Sequence, residues 1–262
     1  WGLAKKGTWK LDESEIKVPN ILFLDSEEFD PPERAEITIS HNEKSTLTVS
    51  SSFFNPKKGE GVIPSTFAYT EDVGGQLVEY RGGSDKIQVL YDQEPDPQAE
   101  LYVLGNAPQL LQRSRRLVNR ISSILKKIPF HKLIYAPGIA QPQNMALLSY
   151  LGVDLFDSLS AEYFSHKDIE LSDWMGFPED SPDNNKNLLN ELKLVRKAIE
   201  NNKIRELVES RVRSEPWMVE ALRYIDEEFD LVSDTVPVTG DKIFITTSEG
   251  LKRPDIERFK RR

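Results

Sequence analysis

The chain contains no cysteine. No disulfide can form in it, no Cys-based zinc site can assemble and no thiolate nucleophile is available. Long apolar runs are missing too. No stretch reaches the ~18 consecutive apolar residues of a membrane-spanning helix, and no secretory leader is visible, so a soluble, cytoplasmic protein is expected. A phosphate cradle is also absent, because the pairs Gly74-Gly75 and Gly82-Gly83 lack a following helix with Lys-Ser/Thr and read as turns. Trp1 at one end and Lys260-Arg261-Arg262 at the other do not look like natural termini.

What is present is a chain of 262 residues, 38% apolar and 29% charged, with net charge −9. That is enough for one large domain, or for one domain with a smaller attachment, and for a packed core beneath long solvated faces.

Residues 130–165 carry the most informative pattern, strand–loop–helix–strand–loop–helix. Residues 133–136 form a short apolar run closed by Pro137-Gly138, a breaker pair that ends a strand. Residues 141–151 place Met145, Leu147, Leu148 and Leu151 at helical spacing, with Pro142 in the first turn and Gly152 as the stop. Residues 153–156 form a second strand, with Asp157-Ser158 at its carboxyl end. A βαβ unit of this length implies parallel strands and a right-handed crossover. Asp157 then lies at the edge where barrels of this kind place their chemistry. Two readings of Asp157 stand side by side: a site carboxylate, or a cap for the helix 159–166. Asp154 lies inside the same strand or ends it early.

The first half is less regular. Residues 20–24, NILFL, read as a buried strand. Residues 36–40 and 45–49 alternate around His41-Asn42-Glu43-Lys44 and read as a hairpin with one wet face. Residues 62–69 and 86–91 are further strands, and residues 93–98 a loop. Residues 101–104 form a strand, Gly105-Asn106-Ala107-Pro108 a turn, and residues 109–127 one long helix. The outer face of that helix carries Arg113, Arg115, Arg116, Arg120, Lys126 and Lys127. Such a run is either a solvated face or, in an acidic chain, a local surface for RNA. Residues 172–187 read as a Pro/Asp/Asn linker. Three amphipathic helices follow over 186–201, 203–213 and 216–229, with Trp217 expected to bury against their stripes.

Several of these strings carry a resemblance. GVDLFDS, residues 152–158, resembles the segment that holds the nucleophilic aspartate of tRNA-guanine transglycosylases. The longer string LIYAPGIAQPQNMALLSYLGVDLFDS is similar to their archaeal side branch, the archaeosine synthases. LYVLGNAPQLL, residues 101–111, resembles the strand and Gly-rich turn on which those enzymes rest a 7-deazaguanine base. Residues 192–226 and 251–262 resemble the helical segment and junction of the archaeal branch, and residues 1–25 show a weaker trace.

The resemblance implies an α/β fold, a TIM-like (β/α) barrel of transglycosylase type shortened in its first half and followed by a small helical region. Its divisions would be a barrel over 1–175, a linker over 176–187, helices over 188–230 and a junction to a further domain over 231–262. It implies tRNA as partner and no cofactor. The reaction would be addition of an amine donor, with lysine favoured, to the nitrile of 7-cyano-7-deazaguanine in the tRNA D-arm. A homodimer and a partner enzyme completing archaeosine are compatible with it.

By the same resemblance Asp157 is the catalytic carboxylate. Gly105, Asn106 and Gly138 line the base, and Asp154 and Ser158 support Asp157, in a cavity open to a modified purine. The family's zinc site has no counterpart in SDWMGFPEDSPDNNKN, so no structural zinc is expected. The family's Asp-Ser-Gly-Gly-Phe-Gln motif is missing as well. True base exchange, the alternative, would need Asp25 or Asp85 as its second carboxylate. A non-catalytic subunit that positions tRNA is the third reading.

Overall fold

The structure, a computed structural model, describes residues 3–11, 14–25, 29–40, 47–48, 75, 77–79 and 86–228. NILFL forms β3 (Asn20–Leu24), buried along its whole length. It belongs to an eight-stranded sheet in the order β5 (Leu47–Thr48), β4 (Ile37–Ser40), β3, β10 (Leu155–Asp157), β9 (Leu133–Tyr135), β8 (Leu101–Leu104), β7 (Lys86–Leu90), β6 (Leu77–Glu79). All neighbours pair in parallel except β6 with β7.

That order is circular in sequence. β10, the last strand of the sheet, returns to lie beside β3, with Phe156 opposite Ile21. From this junction the chain order runs upward one way and downward the other, as in a (β/α) barrel and unlike a doubly wound open sheet. The fold is α/β and TIM-like. Between β5 and β6 most of the chain lies outside the described residues, among it the strand expected over 62–69 and Asp85. The expected junction over 231–262 lies outside them too.

Side-chain alternation along the strands splits the core in two. Leu22, Leu24, Ile37, Ile39, Ile87, Val89, Leu101, Val103, Leu133, Tyr135 and Leu155 form the inner cluster. The hairpin β1 (Gly7–Leu11) and β2 (Ser14–Val18) adds Trp9, Ile16 and Val18 from the amino-terminal side of β3. The alternate residues Ile21, Phe23, Tyr102, Leu104, Ile134 and Phe156 point outward into the second cluster, beneath the helices.

Helices α1 (Ala107–Leu111) and α2 (Ser114–Leu125) cross from β8 to β9, and α3 (Pro142–Tyr150) crosses from β9 to β10. The single helix expected over 109–127 is broken, because Arg113 takes non-helical torsions of φ −136° and ψ 82°. α3 is buried on every side. Its sequence is apolar almost all round, and such a helix needs a second layer over it. α5 (Asn184–Glu200), α6 (Ile204–Arg211), a 3-10 turn (Val212–Ser214) and α7 (Pro216–Glu228) supply that layer, reached from α4 (Leu159–Ser165) through a hairpin of β11 (Ile169–Leu171) and β12 (Gly176–Pro178). Leu188, Leu192, Val195, Ile204, Val208 and Met218 share one core with Met145, Leu147 and Leu148. The stretch read as a linker, 176–187, therefore holds β12 and the first turn of α5.

The hairpin expected over 36–49 is corrected: β4 and β5 run parallel, Ile39 opposite Leu47 and Ser40 opposite Thr48. Ile37 and Ile39 turn into the inner core. No helix among the described residues is long and apolar enough to cross a membrane.

Because α5 shares its core with the sheet helices, Leu188→Ala, a substitution at a fully buried position, should cost about 2–5 kcal/mol. Urea unfolding followed by tryptophan fluorescence and by circular dichroism should still give coincident transitions. Separate transitions for sheet and helices would contradict the shared core.

Candidate active site

The carboxyl ends of β8, β9 and β10 lie side by side, with Val103 opposite Tyr135 and Tyr135 opposite Leu155. Each strand ends in residues singled out by the sequence: Gly105-Asn106 after β8, Gly138 after β9 and Asp157 as the last residue of β10. By the period of two, Asp157 falls on the same face as Leu155, toward the inner core.

Asp157 is completely buried. One oxygen, Oδ2, accepts from the Tyr135 hydroxyl at 2.6 Å and from the Gly138 amide at 3.0 Å. The other, Oδ1, accepts from Gly138 at 2.9 Å and from the Leu159 amide at 3.1 Å. No cation among the described residues pairs with it. Burial therefore wins over four hydrogen bonds and pushes its pKa up to about 6, while the Tyr135 hydroxyl and the two amides pull the other way. Gly138 has φ +67°, a left-handed torsion that frees its amide to turn back onto the carboxylate. The capping reading of Asp157 has a counterpart in the structure. It bonds the first amide of α4, while Ser158, at the cap position itself, makes no side-chain cap.

The remaining residues are placed as follows. Gly105 is buried, and a Cβ built on it would come within 2.7–2.8 Å of the Tyr91 ring and of Val89 on the inner side, a contact only glycine permits. Asn106 precedes α1, makes no cap hydrogen bond, and has a buried Oδ1 with no donor among the described residues. Ser158 faces β3, its Oγ accepting from the Leu24 amide at 3.0 Å. Asp25 ends β3, with its amide on the Ile39 carbonyl at 3.2 Å.

Asp154 does not join this group. It precedes β10 at the opposite end of the strand, where Oδ2 binds Lys5 Nζ and the Ile134 amide, both at 2.9 Å. Burial raises its pKa and Lys5 opposes that shift. Only two residues separate the two acids, but Asp154 precedes the three-residue strand and Asp157 ends it, so Asp154 anchors the amino-terminal segment and cannot support Asp157. The expected open cavity at Asp157 is likewise corrected, since its oxygens are covered. A cleft of about 430 Å³ lies elsewhere, between β1, β2 and the end of α5, lined by Lys17, Arg196 and Glu200 among others.

Tyr135 is the member that sequence reasoning missed. Within LIY it reads as one more apolar strand residue. Only its inward parity beside an acid at the next strand's end could have marked it.

No protein-family model matches the chain. Among curated proteins it is similar to archaeosine synthase subunit alpha of Methanosarcina acetivorans, 29% identical over 197 residues, which cover 63% of this chain and 32% of that protein. Archaeosine synthase of Haloferax volcanii is 27% identical over 196 residues, 65% of this chain and 34% of that protein. The tRNA-guanine(15) transglycosylase of Methanococcus vannielii is 28% identical over 202 residues, 62% of this chain and 31% of that protein. The chain thus spans about a third of the length of these relatives. The resemblance drawn from the motifs is borne out by both groups.

The pKa of Asp157 makes stability depend on pH. The unfolded carboxyl ionises near its ordinary 3.8, whereas the folded one holds its proton until about 6. Between these values the native state binds more protons, so stability falls as pH rises. At about 1.4 kcal/mol per unit the loss is about 3 kcal/mol by pH 7. Denaturant unfolding of wild type and Asp157→Asn should show wild type losing that amount relative to the variant between pH 4 and 7. A difference constant with pH would contradict the buried, cation-free carboxylate.

Proposed function

We propose that this chain carries the nucleobase site of an archaeosine synthase-like transferase acting on tRNA in the cytoplasm. The observation that carries the reading is the carboxylate of Asp157, buried at the barrel's carboxyl edge with no cation beside it among the described residues and bound to Tyr135 and Gly138. The similarity to archaeosine synthases supports it from a second direction.

The substrate is 7-cyano-7-deazaguanine already within tRNA, and the co-substrate is an amine, with lysine the favoured donor. The amine nitrogen bonds to the nitrile carbon; one proton leaves the amine and one reaches the nitrile nitrogen, so the product is an amidine and nothing else departs. With no cysteine in the chain, a thioimidate on one of its own thiols is closed off, and acid–base groups must carry both transfers. A carboxyl with a pKa of about 6 suits both directions of proton movement near neutral pH. Tyr135 Oη, at 2.6 Å, holds the carboxylate and can pass on its proton. Asn106 Oδ1, buried and unpaired among the described residues, is suited to accept from a ring N–H. Gly105 packs against Tyr91 and Val89 and Gly138 turns its amide onto Asp157, at the edge proposed to receive the ring. A second copy and a partner enzyme that finishes the modification belong to the same proposal.

Base exchange would require Asp157 to attack the ribose carbon. Its oxygens are taken up by donors at 2.6–3.1 Å, an arrangement that favours proton transfer over nucleophilic attack. The two reactions separate by mass spectrometry. Incubation with lysine and tRNA bearing 7-cyano-7-deazaguanine should add the mass of lysine, and Asp157→Ala should reduce the rate at least ~100-fold. Incorporation of labelled guanine would support exchange instead. An Asp157→Ala variant with undiminished rate would leave only a tRNA-positioning role.

Tyr135→Phe removes the hydrogen bond that lowers the Asp157 pKa. The midpoint of the pH–rate profile should therefore move above that of wild type, with kcat reduced more than KM is changed. An unshifted midpoint would remove Tyr135 from the proton path.

A further inference from the structure

The six cations read from the sequence of residues 113–127 are not equivalent once folded. Arg115 pairs with Glu220 at 3.2 Å and lies over the Tyr224 ring. Arg120 is half-buried and gives an N–H to the Gln93 carbonyl at 2.7 Å. Lys127 pairs with Glu94. Arg113, Arg116 and Lys126 are exposed, and no carboxylate among the described residues pairs with any of them; Lys126 lies at the far end of α2.

The position of the two arginines is as selective as their freedom. Two residues of the α1–α2 connection separate α1 from α2, and α2 runs away from the carboxyl edge of β8, so Arg113 and Arg116 stand at the end that opens onto Gly105 and Asn106. Arg113 at the cap position and Arg116 in the first turn of α2 stand three positions apart. α7 runs beside α2 in the same direction, since Glu220 meets Ser114 at 2.6 Å and Tyr224 meets Asn119 at 2.8 Å. α7 therefore starts at the same end, and the 3-10 turn before it, which carries the exposed Arg213, lies toward that end too. Helix stability does not account for this arrangement. The amino end of a helix repels cations, and the first turn of α2 holds two arginines and no acid.

We infer that Arg113, Arg116 and Arg213 form the surface that grips the phosphate backbone of the RNA whose base is presented to the site. The inference rests on the proposed reaction for the identity of the RNA, but the cationic surface is a separate observation. In a chain of net charge −9, long-range attraction to a polyanion is absent, so contact must be made by a local cluster of unpaired guanidinium groups. Arginine suits phosphate by its planar fork of donors. The grip carries no base sequence; it sets the register of the nucleotide that enters beside Gly105.

The test is the salt dependence of tRNA binding by the chain. Each phosphate contact contributes about 0.7–0.9 to the slope of log K against log salt. The triple variant Arg113→Ala/Arg116→Ala/Arg213→Ala should flatten that slope by about 2–2.7 and weaken binding at least ~10-fold at low salt, whereas Arg115→Ala, already paired, should change neither much. All these positions are exposed, and circular dichroism should confirm an unchanged fold. An unchanged slope in the triple variant, an equal loss in Arg115→Ala, or preference for polyglutamate over tRNA would each overturn the surface. If the triple variant loses tRNA while Asp157→Ala still supports modification, the catalytic reading fails and the surface stands. If the slope is unchanged while Asp157→Ala is inactive, the reverse holds.

Discussion

A carboxylate buried without a cation is among the costlier things a fold can hold, and the rest of the site follows from how the Asp157 oxygens are satisfied. Three donors are brought to them from three places: a hydroxyl from the neighbouring strand, an amide from the left-handed Gly138 and the first amide of α4. The first two are within reach because β9 and β10 are adjacent and parallel, the third is local to the start of α4, and α3, which crosses between the two strands, is buried on every side. The helices α5 to α7 lie over α3 and share its core. The helical layer thus covers the crossover that joins the two strands of the site.

The two acids of GVDLFD make the point by contrast. Asp154 is buried as deeply as Asp157, but it meets Lys5 at 2.9 Å, so its charge is balanced and its work is to tie residues 3–6 to the sheet. Among the described residues Asp157 has neutral donors only, which hold it in place and leave its proton affinity high. Where a charge is compensated by an opposite one, a structural role suffices; where it is held by hydrogen bonds alone, the proton remains available for chemistry.

Much of the second half was legible in the sequence because its signals are local. The strand before Pro137-Gly138, the helix after Pro142 and the three amphipathic helices fall within a residue or two of their observed bounds. What local signals could not reveal was anything decided across the sheet. The parallel direction of β4 and β5 is set by their pairing across the sheet, whereas a short polar connection reads as a hairpin. Asp154 and Asp157 look like partners in sequence, and only the length of the strand sets them at opposite ends. Tyr135 looks like core until β10 is placed beside it. The break between α1 and α2 left no mark, because Gln112-Arg113 has no glycine or proline.

The central claim is that the carboxyl edge shared by β8, β9 and β10 receives a 7-deazaguanine base. It is tested most directly by two-dimensional NMR of the isotope-labelled chain titrated with free 7-cyano-7-deazaguanine. The account predicts saturable shifts of the Gly105, Asn106, Gly138 and Leu159 amides, with the Asp157 carboxyl titrating at a changed pH. Saturable shifts confined to the cleft at Lys17 and Arg196, with that edge unmoved, would contradict it.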